Sequence, residues 1–151
     1  MSVIDPLKIH LTNIVKVTES VSTDCQNHNP DELNVGASYS MMHNLVEHKV
    51  KLNMIIEILC DKNPDDRIAF FSYDFFYTID DLESHYQIVN NKPLFDGLFV
   101  STLLSIAYST TRGMLFNQFT EAPLKNILLP TQVLHSILPQ VPVVKQLASR
   151  P

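Results

Sequence analysis

An α+β fold, a four-stranded antiparallel sheet with two C-terminal helices packed on one of its faces, is predicted by three observations on the 151-residue sequence. Apolar residues alternate with a period of two through the first half, short polar turns separate the alternating runs, and beyond Pro93 the period lengthens to that of a helix. Strands joined by short turns pair antiparallel, and strands followed by helices place those helices on one side of the sheet.

The first run, from Leu7 to Val21, alternates at Leu7, Ile9 and Leu11 and resumes at Val15 and Val17 after Ile14, which predicts a strand with a bulge near Asn13. After the polar loop DCQNHNPDE, alternation returns at Leu33, Val35, Ala37, Tyr39 and Met41. The third run is the clearest, with Val50, Leu52, Met54, Ile56, Ile58 and Cys60 on one face and Lys49, Lys51, Asn53 and Glu57 on the other. Turn residues DKNPDD lead into RIAFFSYDFFYTI, where Ala69, Phe71, Tyr73, Phe75, Tyr77 and Ile79 share a face. The sheet thus spans about residues 7–80. Pro93 suits the first turn of a long helix over about residues 94–119, a stretch with no further proline until Pro123. A short helix is expected over about residues 130–138, between Pro130 and Pro139, and residues 1–151 read as a single domain with a peripheral tail PVVKQLASRP.

Composition narrows the function. With 45% apolar residues and a net charge of −5 the chain has a core and no basic footprint, so neither nucleic acid nor a membrane surface is an expected partner. Cys25 and Cys60 make no disulfide framework, and MSVIDPLKIHLTN lacks the basic-then-apolar layout of a signal peptide; a cytoplasmic protein is expected. The uncharged run from Gly97 to Thr111 falls short of the roughly 20 apolar residues a membrane span needs.

Catalytic signals are missing. The histidines at 10, 28, 43, 48, 85 and 135 show no metal-ligand spacing, and the acids of NPDD and IDDLE lack the glycine and glutamate of a calcium loop. There is neither a phosphate loop nor a Gly-x-Gly-x-x-Gly motif. A binding role without metal or cofactor is expected. The rival from another class is a small-molecule-binding protein or enzyme, its pocket between sheet and helices with His85 or His135 near the mouth.

The stretch YSTTRGML raises its own question, since arginine and glycine are costly inside an apolar helix. At 100° per residue Ser101, Ser105, Ser109 and Arg112 fall within a sector of roughly 80°, flanked by Leu98 and Phe116, while Leu103, Leu104, Ile106, Ala107 and Leu115 cover the remaining surface. A helix apolar all round needs covering on several sides. The expectation is a second subunit against this stripe, with Arg112 finding hydroxyls or a carboxylate there and Gly113 permitting close approach; the alternative is a surface arginine ending an ordinary core helix.

The order YDFFYTIDDL, LLSIAYSTTRGML, LKNILLP, TQVLHSIL resembles that of the SecB-like export chaperones, over about Ile9 to Leu138. That resemblance implies the same sheet-and-helices fold, a homotetramer built as a dimer of dimers with the long helices between dimers, and binding of unfolded or secretory polypeptides in apolar grooves. Members hand clients to the SecA motor or protect antitoxins. Here strand alternation puts Phe70 and Phe76, and on the neighbouring strand Ile55 and Leu59, opposite the core face, where exposed apolar residues mark binding surfaces. Met41, Met42 and Met54 would add adaptable contacts. The same aromatics could instead lie under the crossover between Asp80 and Pro93 or under a partner sheet. The basic ending VVKQLASRP departs from the acidic tail of the best-known export chaperone, and its acidic sheet-edge residues are echoed only by Glu19 and Asp24, which argues against a handover to SecA. A dedicated single-partner adaptor is the further alternative.

Overall fold

The structure, a computed structural model, describes residues 3–22, 33–60 and 63–118, the side chains of residues 63–66 excepted. Four strands, β1 (Ile9–Val21), β2 (Leu33–Asn44), β3 (Lys49–Cys60) and β4 (Asn63–Ile79), form one antiparallel sheet in the order β1-β4-β3-β2. A small hairpin of β5 (Tyr86–Val89) and β6 (Lys92–Phe95) follows, and then the helix α1 (Gly97–Gln118). The expected short helix over residues 130–138 lies outside the described residues.

Local chemistry accounts for the turns and irregularities. Asp5 accepts a hydrogen bond from the Leu7 amide (3.0 Å) and caps a 3-10 turn at Pro6–Lys8, so β1 starts at Ile9 rather than Leu7. The bulge expected near Asn13 is present as a register shift between Leu11 and Asn13, and a second falls between Lys16 and Thr18. Between β2 and β3 the Asn44 side chain accepts from the Glu47 amide (3.1 Å), and His48 takes a left-handed conformation at φ 57°, which histidine tolerates better than most residues. The chain from Asn63 onward, read as turn from sequence, already belongs to β4. Its pairing with β3 slips twice between Ile58 and Cys60, and a slipped ladder is where a proline such as Pro64, with no N–H to give, is accommodated.

The largest correction concerns Pro93, which pairs with Ile88 in the β5-β6 hairpin instead of opening the helix. Asn90 and Asn91 both have positive φ, 51° and 63°, the pattern of a two-residue type I′ turn. The helix begins at Gly97, and its first helical amide bond runs from Val100 to the Asp96 carbonyl (3.1 Å).

The core lies between one sheet face and α1. Val50, Leu52, Met54, Ile56 and Ile58 of β3 and Phe71, Phe75, Tyr77 and Ile79 of β4 are buried against Phe99, Leu103, Leu104, Ala107 and Leu115. Burying such side chains contributes about 1.5–3 kcal/mol each. The Tyr77 hydroxyl donates to the Leu103 carbonyl (2.9 Å), a buried polar tie between sheet and helix. Rings fasten the hairpin: Phe95 stacks on Phe99 at 5.8 Å, and His85 lies parallel to Phe99 at 4.6 Å.

Candidate functional site

Strand alternation leaves a second sheet face pointing away from α1, and the register specifies what meets there. Ile55 stands opposite Ser72, Glu57 opposite Phe70 and Leu59 opposite Arg67, so Ile55, Leu59 and Phe70 gather near one end. Phe76 stands opposite Lys51, about 20 Å further along β4 at the usual rise per residue. All four apolar side chains are half-buried. The sheet therefore brings three of these candidates together and sets Phe76 apart.

A polar band separates them. The Asn53 amide donates to Ser72 Oγ and Asp74 Oδ1, both at 2.9 Å, and Lys51 Nζ lies 4.0 Å from Asp74 Oδ2. At the far end the Arg67 guanidinium sits 4.5 Å above the Phe70 ring, a cation–π contact that covers part of that aromatic.

The methionines divide between the faces. Met42, opposite Lys51, belongs to the outer face and is half-buried. Met41 and Met54 have no exposed surface, because their partners Leu52 and Tyr39 put them on the core side; they cannot touch a client on the outer face while the sheet is folded.

A groove of about 510 Å³ lies over Phe76, lined by Thr12, Asn13 and Val15 of β1, Lys49 and Lys51 of β3, Thr78 of β4, and Asn44 and Glu47 at the β2-β3 turn. Its concavity comes from the strand irregularities. The β1 bulge inserts Thr12 beside Phe76, whose carbonyl accepts from Thr12 Oγ1 at 3.1 Å, and bulges bend the strand that carries them. Sequence alternation placed Lys49 and Lys51 on the face opposite the core without marking a groove, and the one signal for it was the broken alternation around Asn13.

On α1 the predicted stripe is accessible. Ser109 and Gly113 are exposed, Ser101, Ser105 and Arg112 are half-buried, and Leu98 and Phe116 at its ends are 57% and 58% exposed. Ser101 and Ser105 turn their hydroxyls onto helix carbonyls of Leu98 (3.0 Å) and Ser101 (2.7 Å), which leaves a smooth, low surface. Among the described residues nothing lies within 4 Å of where a Gly113 Cβ would be, so no close approach among them explains that glycine. Arg112 stands near Tyr108, whose phenol is pushed up to about 12 by burial, with the guanidinium pulling the other way.

The described histidines do not converge. His85 is fully buried, with Nε2 3.1 Å from Asp81 Oδ1, so it guards no pocket mouth; His135 lies outside the described residues. His43 is buried beside Phe95 (5.4 Å), and desolvation lowers its pKa. His10 pairs with Asp80 (2.9 Å) and His48 with Glu83 (3.5 Å) at the surface. Among the described residues no group of three or more suits a metal ion, and no described helix is long and apolar enough to cross a membrane. Glu19 lies on the helix side of β1, paired to Lys16 at 2.7 Å; Asp24 lies outside the described residues.

No family model and no curated protein matches the sequence. Among solved structures the chain is similar to the SecB-like chaperone Rv1957 of Mycobacterium tuberculosis, determined in complex with a ChAD peptide from the HigA1 antitoxin Rv1956. The TM-score is 0.53 over 83% of this chain and 88% of the other, at 8% sequence identity. The likeness is therefore one of fold.

Proposed function

From that shared fold, we propose that the protein is an ATP-independent holding chaperone of SecB-like type that binds non-native polypeptide segments, without enzymatic activity. The observation that carries the reading is the fold shared with a chaperone whose solved complex contains a peptide. The outer sheet face supplies suitable chemistry, since Ile55, Leu59, Phe70 and Phe76 keep partial exposure on a regular sheet and Met42 adds a pliable contact. Extended segments can combine such apolar contacts with backbone pairing, which tolerates varied client sequences.

Assembly belongs to the same reading. The α1 stripe of Ser101, Ser105, Ser109, Arg112 and Gly113, bounded by exposed Leu98 and Phe116, is proposed as the contact between subunits in a homotetramer, because small side chains allow helices to approach closely. Clients of an export pathway and antitoxins both fall within this proposal.

The test is suppression of aggregation of chemically unfolded clients at near-equimolar ratio without ATP. Protection of several unrelated clients is the expected result. Because the structural neighbour holds a peptide from one antitoxin, a dedicated adaptor is the second reading, and protection of a single cognate protein would favour it. Reproducible thermal stabilisation by one metabolite would favour a small-molecule-binding protein or enzyme instead.

A further inference from the structure

The groove over Phe76 carries more chemistry than an apolar patch requires. Lys49 and Lys51 are alternate residues of β3 on the same face, about 7 Å apart, and both line it. Lys49 Nζ is 3.5 Å from Glu47 and Lys51 Nζ is 4.0 Å from Asp74, both longer than the 3.2 Å or so of a full hydrogen bond. The carboxylates are already engaged by amides: Asn44 Nδ2 donates to Glu47 Oε2 (3.2 Å), and Asn53 Nδ2 to Asp74 Oδ1 (2.9 Å). The lining holds the Lys49 and Lys51 ammonium groups and the Glu47 carboxylate, while Asp74, outside the lining, stands 4.0 Å from Lys51 with one oxygen held by Asn53. The groove crosses the sheet from β1 to the β2-β3 turn, about 14 Å at the usual strand spacing, the length of about four extended residues.

Resting on the reading of the outer face as a polypeptide surface, we infer that this groove binds an extended polypeptide segment in which an acidic residue adjoins an apolar one, the carboxylate on Lys49 and Lys51 and the apolar side chain on Phe76 and Val15. Selection by charge at this end makes the outer face discriminate among unfolded chains, although the protein itself carries a net charge of −5.

Fluorescence anisotropy with two labelled peptides tests it, Ser-Gly-Glu-Phe-Glu-Gly-Ser and its counterpart with both glutamates replaced by lysine. The wild type is expected to bind the acidic peptide about fivefold more tightly at low salt, the scale of two exposed ion pairs. Near 1 M salt, where screening acts over about 3 Å, the preference is expected to vanish. The double variant Lys49→Glu/Lys51→Glu is expected to invert it while still unfolding cooperatively, at a melting temperature lowered by the new like-charge contacts with Glu47 and Asp74, while Phe76→Ala weakens both peptides. Equal affinity for the two, or a preference that survives the double variant, overturns the inference and leaves polypeptide binding standing. Saturable binding of free 3-phenylpropionate with no gain from flanking residues would assign the groove to a small aromatic acid and also overturn it. Loss of both peptides together with failed aggregation suppression would overturn the holding function itself.

Discussion

At the scale of single residues, His43 and Tyr77 give the sharpest expectations. Burial lowers the His43 pKa from its ordinary 6.5, so the unfolded chain takes up this proton more readily than the folded one. Stability from neutral His43 is therefore fully present above about pH 6.5 and is lost as pH falls through the lowered folded value. Chemical denaturation between pH 8 and pH 5 is expected to show a loss of stability that His43→Phe reduces; these pH values bracket the ordinary range of histidine. For Tyr77→Phe, loss of the bond to the Leu103 carbonyl is expected to cost about 1 kcal/mol, and Tyr77→Ala about 3–5 kcal/mol through the cavity it leaves. Residue faces were legible wherever alternation is unbroken: every residue of the Val50 to Ile58 series read as inward is buried. Met41 and Met54 show the limit, since side-chain softness suggested contact with clients while period-two geometry had already turned both toward α1.

At the scale of elements, the β5-β6 hairpin decides where the helix begins. Asn90 and Asn91 hold left-handed backbone that β-branched residues resist, so Asn91→Val is expected to lower stability by about 1–2 kcal/mol and Asn91→Gly to leave it near wild type, both read by thermal unfolding. The sheet was legible because its strands are long and their alternation is dense. The hairpin was not, because strands of only Tyr86–Val89 and Lys92–Phe95 carry little periodicity and Pro93 fits the start of a helix as well as an edge strand. The signal that could have found it is Asn-Asn between Ile88-Val89 and Leu94-Phe95, a two-residue turn of left-handed-tolerant residues. The groove over Phe76 was hidden for a related reason, since a bulge registers in sequence only as a missed beat, and the wall it builds depends on the neighbouring strand.

At the scale of the whole molecule, the proposed assembly and the proposed client holding rest on two different surfaces. The stripe of α1 ends on Leu98 and Phe116, and the double variant Leu98→Glu/Phe116→Glu is expected to shift mass in light scattering toward the 17.2 kDa subunit while keeping the subunit folded. A wild-type monomer at micromolar concentration would remove the tetramer from the proposal. The chemistry of that surface was visible as helical spacing, whereas what covers it was not, because a lone sequence reports which face is smooth and not what lies on it. The outer sheet face bears the central claim, and the most direct measurement is protection of an aggregating client by Phe76→Asp beside the wild type, with the melting temperature of each recorded. Near-equimolar protection by the wild type without ATP, weakened in a Phe76→Asp variant that melts like the parent, is the predicted result. Undiminished protection by the folded variant, or no protection of any client by the wild type, would contradict it.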